Sequence, residues 1–270
     1  MAYSAAHTDC GRWRTAKAAG VKLELAARLQ SSTEPCRRAS GPLADARDDI
    51  VSAQVGAFFR HALGPGVQEV AVLGEGVIHS PDTLRPVRIP PGQRQTIHWP
   101  VLHIGGVPRI DPSTWTLTFG GLVRTQRTIT ADEFWALPRV TVLSDFHCVT
   151  GWSRLDNLWE GVSTRTIMDL VEVLPEARHV VIHGAHGFAT NLSLTDLLAE
   201  DVLLATHHDG RPLTAEHGGP VRLVVPRLYA WKSCKWIEGI DCVAESRPGF
   251  WESRGYHDRG DPWQEERYRR

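Results

Sequence analysis

From Thr114 to Phe119 the chain alternates threonine with Trp115, Leu117 and Phe119, the period of a strand with one buried face, and Gly120-Gly121 supplies a turn after it. Val140, Thr141 and Val142 form a β-branched run that predicts a second strand. Further strands are expected at His179–Ile182, at Val202–Ala205 leading to an Asp209-Gly210 turn, at Val221–Val225 and at Trp236–Val243. Helical patterning is sparse by comparison. Thr130-Ala-Asp-Glu133 has capping-box spacing and opens a short helix that Pro138 closes. Ser163 can cap a helix with Ile167, Leu170, Val171 and Leu174 on one face, and Thr195–Ala199 reads as another short helix. Short strands mixed with short helices, without regular strand-helix-strand repetition, define an α+β class rather than a doubly wound sheet.

Residues 1–80 are patterned differently. Lys17–Gln30 is rich in Ala, Leu and Lys and has helical character weakened by Gly20; Ser31–Pro42 reads as loop. Ile50–Leu63 places Val51, Val55, Phe58, Phe59 and Leu63 at helical spacing before Gly64-Pro65-Gly66 ends it. No candidate chemistry falls here, and the stretch is expected to be a poorly structured, mobile extension rather than a domain. Residues 81–100 hold Pro81, Pro86, Pro90, Pro91 and Pro100, which suits an extended segment over a surface. The core domain is expected at 101–270.

Composition narrows the function. Lys+Arg 30 against Asp+Glu 31 leaves the chain near neutral, so neither a nucleic acid nor a membrane surface is expected as partner. No apolar run is long enough to span a bilayer, the first residues lack signal-peptide order, and Arg37-Arg38 precedes no apolar segment, so a cytoplasmic location is expected. Five cysteines, Cys10, Cys36, Cys148, Cys234 and Cys242, are odd in number and widely spaced, which favours reduced thiols. Cys234, Cys242, His183 and His186 lack zinc-ligand spacing.

Cys148 lies in Asp145–Val162, where the β-branched run is expected to give way to a polar loop, the place from which side chains face ligands. A thiolate there can bind a soft metal or attack a substrate with His183 or His217 as base, and a packed free thiol is the third reading. Two segments read as an anion-binding wall. In His217-Gly-Gly-Pro-Val-Arg222 the glycines let backbone approach a ligand and Arg222 can grip a phosphate; Tyr229–Trp236 concentrates Lys232, Ser233 and Lys235. Gly255-Tyr256-His257 and His103 before Gly105-Gly106 are two further candidates.

Taken in order, His147-Cys-Val-Thr-Gly-Trp-Ser153, Trp159-Glu-Gly-Val162, Asp209-Gly-x-Pro-Leu213, His217–Pro226 and Lys235-Trp-Ile237 resemble the molybdopterin-binding domain of the sulfite oxidase family, from about Pro100 to Tyr268. The small bacterial sulfite-oxidase-like oxidoreductases are the members it looks most like. The resemblance implies a mixed-sheet α+β domain and one molybdenum-molybdopterin per chain, with Cys148 as the protein's metal ligand. It implies that His217, Arg222 and the Ser233-Cys234-Lys235 segment hold the pterin and its phosphate, with His103 as a further contact. Tyr256 falls at the position of the family's active-site tyrosine, and Trp152 and Arg154 are close enough to Cys148 in sequence to line the pocket.

The implied activity is oxygen-atom transfer on a small oxyanion or a sulfoxide, with electrons exchanged with an unnamed donor or acceptor. Vertebrate sulfite-oxidising enzymes have an arginine just before the His103 position, whereas this chain has Leu102; no heme motif precedes the domain, so no heme is expected. A metal-free binding module on the same fold is the non-enzymatic alternative, against which the joint presence of Cys148 and Tyr256 speaks.

Overall fold

The computed structural model describes residues 76–269. The helices expected at Lys17–Gln30 and Ile50–Leu63, and the mobile extension as far as residue 75, lie outside the described residues. In chain order the elements are β1 (Val77–His79), β2 (Arg94–Gln95), β3 (Thr116–Gly121), β4 (Arg127–Thr130), α1 (Ala131–Trp135), β5 (Val140–Cys148), β6 (Trp152–Ser163) and α2 (Thr164–Met168). They continue with β7 (His179–Gly184), β8 (Phe188–Ser193), α3 (Leu194–Leu197), β9 (Leu203–His208), β10 (Arg211–Pro212), β11 (Arg222–Val224) and β12 (Ile237–Val243).

Two mixed sheets organise these strands. One runs β1-β5-β6-β9-β10, with β2 alongside β6 and β11 on β9; the other runs β4-β3-β12-β7-β8. The pairs β1/β5, β2/β6 and β3/β12 are parallel and the rest antiparallel. The architecture is thus the α+β class that the pattern predicts. No helix among the described residues is long and apolar enough to cross a membrane.

The period of two along each strand decides where the cores form. Val162, Leu204 and Leu223 of the first sheet join Leu117, Phe119, Ile182 and Ile240 of the second in one cluster. Leu203, Ala205 and Val224, one residue out of phase, point to the opposite face with Val142, Phe146 and Trp159. The first sheet is therefore covered on both faces, which is why Val202–Ala205 reads as an unbroken apolar run. Each fully buried large side chain, such as Trp159 or Phe146, contributes roughly 1.5–3 kcal/mol.

The caps form as their spacing predicts. Thr130 and Glu133 close a capping box on α1, and Ser163 accepts from the Arg165 N–H to open α2. The helix α2 stops at Met168, so Leu170 and Val171 pack against the core from the chain that follows it. Several elements depart from expectation. The β4 and β8 strands and the two-residue β2 and β10 were not foreseen. The last residues assigned to the extension, Val77–His79, are a strand hydrogen-bonded along β5, because their side of the sheet edge needs partners. Asp145–Val162 is not a polar loop: β5 continues to Cys148, turns at Val149–Gly151 and returns as β6.

Its polar residues are tolerated in a strand because they are paired. Arg88, from the Pro-rich segment, donates to both Asp145 oxygens at 2.9 and 2.5 Å and to Asp156 at 2.6 Å. Asn157 donates to the Ser144 carbonyl at 3.1 Å.

Candidate active site

Cys148 closes β5 opposite Trp152 of β6, at the head of a three-residue turn in which Gly151 has φ 96°. That positive φ suits glycine and lets the Gly151 N–H reach the Cys148 carbonyl at 2.9 Å. Chain segments remote in sequence hold the same turn. Gln93 donates to the Cys148 carbonyl at 3.1 Å, and the Arg94 N–H to the Gly151 carbonyl at 2.9 Å. Arg267 spans the other side, donating to the carbonyls of Val149, Pro91 and Gly92.

The Cys148 thiol is 7% exposed, and Thr150 Oγ1 donates to its sulfur at 3.1 Å. Burial pushes the thiol up from its ordinary range, opposed by the Thr150 hydrogen bonds and by the charge of Arg267. At neutral pH it therefore holds its proton until a cation displaces it.

The thiol faces a cavity of about 350 Å³. Trp152, Phe188, Trp231, Trp251 and Tyr256 give it aromatic walls, and Arg222, Ser233 and Lys235 are its cationic and polar lining. The Tyr256 ring stands edge-on to Trp231, with centroids 5.1 Å apart, and tilted against Trp251 at 5.0 Å. Burial, then the neighbouring Tyr268 and Cys148, raise the Tyr256 phenol, so its hydroxyl keeps its proton and can donate.

Arg222 is a desolvated cation. It is 2% exposed, donates to the carbonyls of His217 and Ser233 at 2.9 Å each, and lies 5.5–5.9 Å from the ring centroids of Phe146, Trp99 and Trp159. Among the described residues no carboxylate forms an ion pair with it. Burial lowers its pKa to about 10. Lys235 donates to the Glu216 carbonyl at 2.6 Å, and burial together with the Arg222 charge lowers it to about 7. A buried and a half-buried cation lining one cavity suit it to an anion.

The remaining candidates divide. His103 lines the cavity, its Nδ1 3.1 Å from the Gly105 carbonyl, and Ser233 lines it while its hydroxyl accepts from the Val225 N–H. His217 stands one layer back: it stacks on Trp99 at 3.8 Å, and both ring nitrogens are engaged, with Thr214 Oγ1 and the Trp99 carbonyl. The Cys234 side chain does not line the cavity. Its sulfur packs in the core against Gly184, because side chains of successive residues in extended backbone point to opposite sides.

Lys232 likewise leaves the anion wall, its ammonium buried against Glu252. Arg154 turns to Asn157, His208 and Asp209 instead of the cavity. The nucleophile-and-base arrangement is not formed: His183 pairs with Asp241 on the other sheet, and among the described residues no imidazole hydrogen-bonds Cys148. Trp99, Phe188, Trp231 and Arg267 are site residues that sequence reasoning missed, since strand pairing and long-range packing bring them in. Trp231 alone carried a signal, lying inside the Tyr229–Trp236 segment.

A thiol beside two cations at the end of a mixed sheet is an arrangement suited to an oxidoreductase of the sulfite oxidase type, and the comparisons place the chain in that class. The profile of the oxidoreductase molybdopterin binding domain matches residues 104–251, and the chain belongs to that family. It is 50% identical over 182 residues to the uncharacterized oxidoreductase YuiH of Bacillus subtilis, covering 67% of this chain and 92% of that one. It is also similar to the protein-methionine-sulfoxide reductase catalytic subunit MsrP of Gluconobacter oxydans, at 25% identity over 60% of each chain. Sulfite oxidase of Arabidopsis thaliana is 26% identical over 56% of this chain and 48% of its own.

The chain thus spans about half to three-fifths of these last two relatives' length. The sulfane dehydrogenase SoxCD of Paracoccus pantotrophus has a similar fold, with a TM-score of 0.50 at 20% identity, over 58% of this chain and 46% of that one.

Proposed function

We propose that Cys148 supplies the protein's thiolate to the molybdenum of a molybdopterin cofactor, one per chain, and that the cavity reduces a small uncharged sulfoxide. The observation that carries the reading is the pair Arg222, buried, and Lys235, half-buried, neither ion-paired among the described residues, lining the cavity that Cys148 also lines. The residues present fit the group. A soft sulfur donor suits the metal, the two cations suit the pterin's phosphate, and Ser233 and His103 offer polar atoms to the pterin. When bound, the cofactor supplies two-electron oxygen-atom chemistry.

The chain's own residues prepare that chemistry. Thr150 orients the Cys148 sulfur, and Arg267, Gln93 and Arg94 keep its turn from moving. Arg222 and Lys235 are committed to the cofactor's phosphate, which leaves the substrate end aromatic. Trp152, Trp231, Trp251 and Phe188 exclude water there and suit an uncharged sulfoxide better than sulfite. Tyr256 Oη, held protonated, donates to the substrate oxygen. In the overall reaction the S–O bond breaks, two electrons from an external donor reduce the sulfur, and the oxygen leaves as water with two protons.

The test uses protein made in a host that synthesises molybdopterin. Elemental analysis is expected to give near one molybdenum per chain, and reduced viologen to be oxidised on addition of a methyl aryl sulfoxide. Oxidation of sulfite without sulfoxide reduction would overturn the substrate assignment. Absence of molybdenum, in a host shown to load another molybdoenzyme, would overturn the cofactor assignment.

A further inference from the structure

The ammonium of Lys232 and the carboxylate of Glu252 are both 0% exposed and lie 2.6 Å apart. A buried pair of this kind contributes little net stability relative to apolar residues of the same size, so its geometry is the more informative property. Glu252 Oε1 also accepts from Trp231 Nε1 at 3.0 Å and from Thr190 Oγ1 at 2.8 Å. Lys232 in turn donates to the Asn191 carbonyl and side chain and to the Asp258 carbonyl. One carboxylate oxygen thereby gathers β8, the turn at Ala230–Lys232 and the turn at Glu252–Arg254.

The sequence neighbours of the pair are cavity walls. Trp231 precedes Lys232, Trp251 precedes Glu252, and the Tyr256 ring touches both indoles. Fixing 232 to 252 therefore fixes the gap in which Tyr256 sits. The seat of Trp231 is tight on its other sides as well. Its ring stacks on Tyr229 with centroids 5.3 Å apart, and a Cβ at Gly260 would come within 2.7 Å of the indole.

We propose that Glu252, held by Lys232, is a positioning residue for the substrate wall: its Oε1 pins the Trp231 indole and thereby sets the orientation of the Tyr256 ring. The role rests on the cavity being the substrate site. It separates two things the pair does, carrying charge and accepting the indole hydrogen bond, and only the second matters to the wall.

Two double variants and one single variant test this in the cofactor-loaded enzyme. Lys232→Met/Glu252→Gln removes the charges and keeps the acceptor; Lys232→Met/Glu252→Leu removes both. Hydrogen exchange of the Trp231 indole N–H, followed by NMR, and kcat and KM for methyl phenyl sulfoxide with reduced viologen are the readouts. The Gln double variant is expected to keep wild-type indole protection and KM. The Leu double variant should lose protection at least tenfold and raise KM about tenfold with kcat within threefold. Wild-type protection and KM in the Leu double variant would overturn the proposal, as would equal loss in both.

Should the doubles fail to fold, replacing Trp231 by 3-benzothienylalanine decides. It exchanges the indole N–H for sulfur while keeping the bicyclic ring and should reproduce the KM rise, and an unchanged KM would overturn the role. If the wild type reduces no sulfoxide, the functional reading fails while indole exchange still decides between pinned and unpinned Trp231.

Discussion

Arg222 Nη2 donates to the carbonyl oxygen of Ser233 at 2.9 Å, so the buried cation and the segment carrying Lys235 form one unit. Arg222→Ala removes the cation and leaves the His217 and Ser233 carbonyls without their donor. Cofactor retention is expected to weaken by about 1.5–3 kcal/mol, with a lower melting temperature. Fluorescence of the released, oxidised pterin measures the first, and full occupancy in the variant would remove Arg222 from the phosphate site.

Lys235 gives the site a pH dependence of known sign. Its folded pKa of about 7 lies below the ordinary 10.5, so between these values the unfolded chain binds a proton that the folded apoprotein does not. Apoprotein stability attributable to this group therefore rises with pH across that window. Anion binding runs the other way, because an anion favours the charged lysine. Sulfate, which stays a dianion, should bind more weakly as pH climbs above about 7, by at most about tenfold per unit. Calorimetric titration of sulfate against Lys235→Met, expected to be weak and flat, checks it.

Cys148→Ser changes one buried atom whose side-chain partner, Thr150, can also donate to a hydroxyl. Far-UV circular dichroism should match the wild type while molybdenum content and viologen-linked activity disappear. Retained molybdenum with retained turnover would show that the thiolate is not the ligand.

Tyr256→Phe keeps the ring between Trp231 and Trp251 and deletes the donor. The expected effect is a drop in kcat on the order of 10-fold to 100-fold, the value of a hydrogen bond to a charged or developing charge, with unchanged cofactor content. Equal kcat for the two proteins would place the proton source elsewhere.

Gly161→Ala probes the fold away from the cavity. A Cβ there would lie 2.1 Å from the Leu204 carbonyl on the adjacent strand β9, and backbone cannot yield as a side chain does. A loss of roughly 1–3 kcal/mol is expected in urea unfolding. An unchanged midpoint would mean that β6 and β9 can separate locally.

What was legible in the sequence was local. Thr130 and Glu133 announce their helix because a capping box is a four-residue device, and Leu117 and Phe119 announce β3 because burial repeats every second residue. The β6 strand was hidden because Arg154, Asp156 and Asn157 look like loop residues; their partners Arg88, Asp209 and Ser144 are set by tertiary structure. Phe188–Ser193 alternates too weakly to declare β8. Of the cavity's lining, Cys148, Arg222 and Lys235 stand in ordered motifs, and Tyr256 was singled out separately in Gly255-Tyr256-His257. Cys234 and Lys232 were misplaced because a run of polar residues does not say which side of the backbone each will take. Arg267 escaped because nothing local distinguishes it from the other arginines of the C-terminal segment.

The turn that presents Cys148 is held by residues 91–94 on one side and by Arg267 on the other, and these are 173 or more positions apart along the chain. During synthesis the thiol emerges long before its last brace does. The turn can take its final shape only once the segment bearing Arg267 is available to close over it.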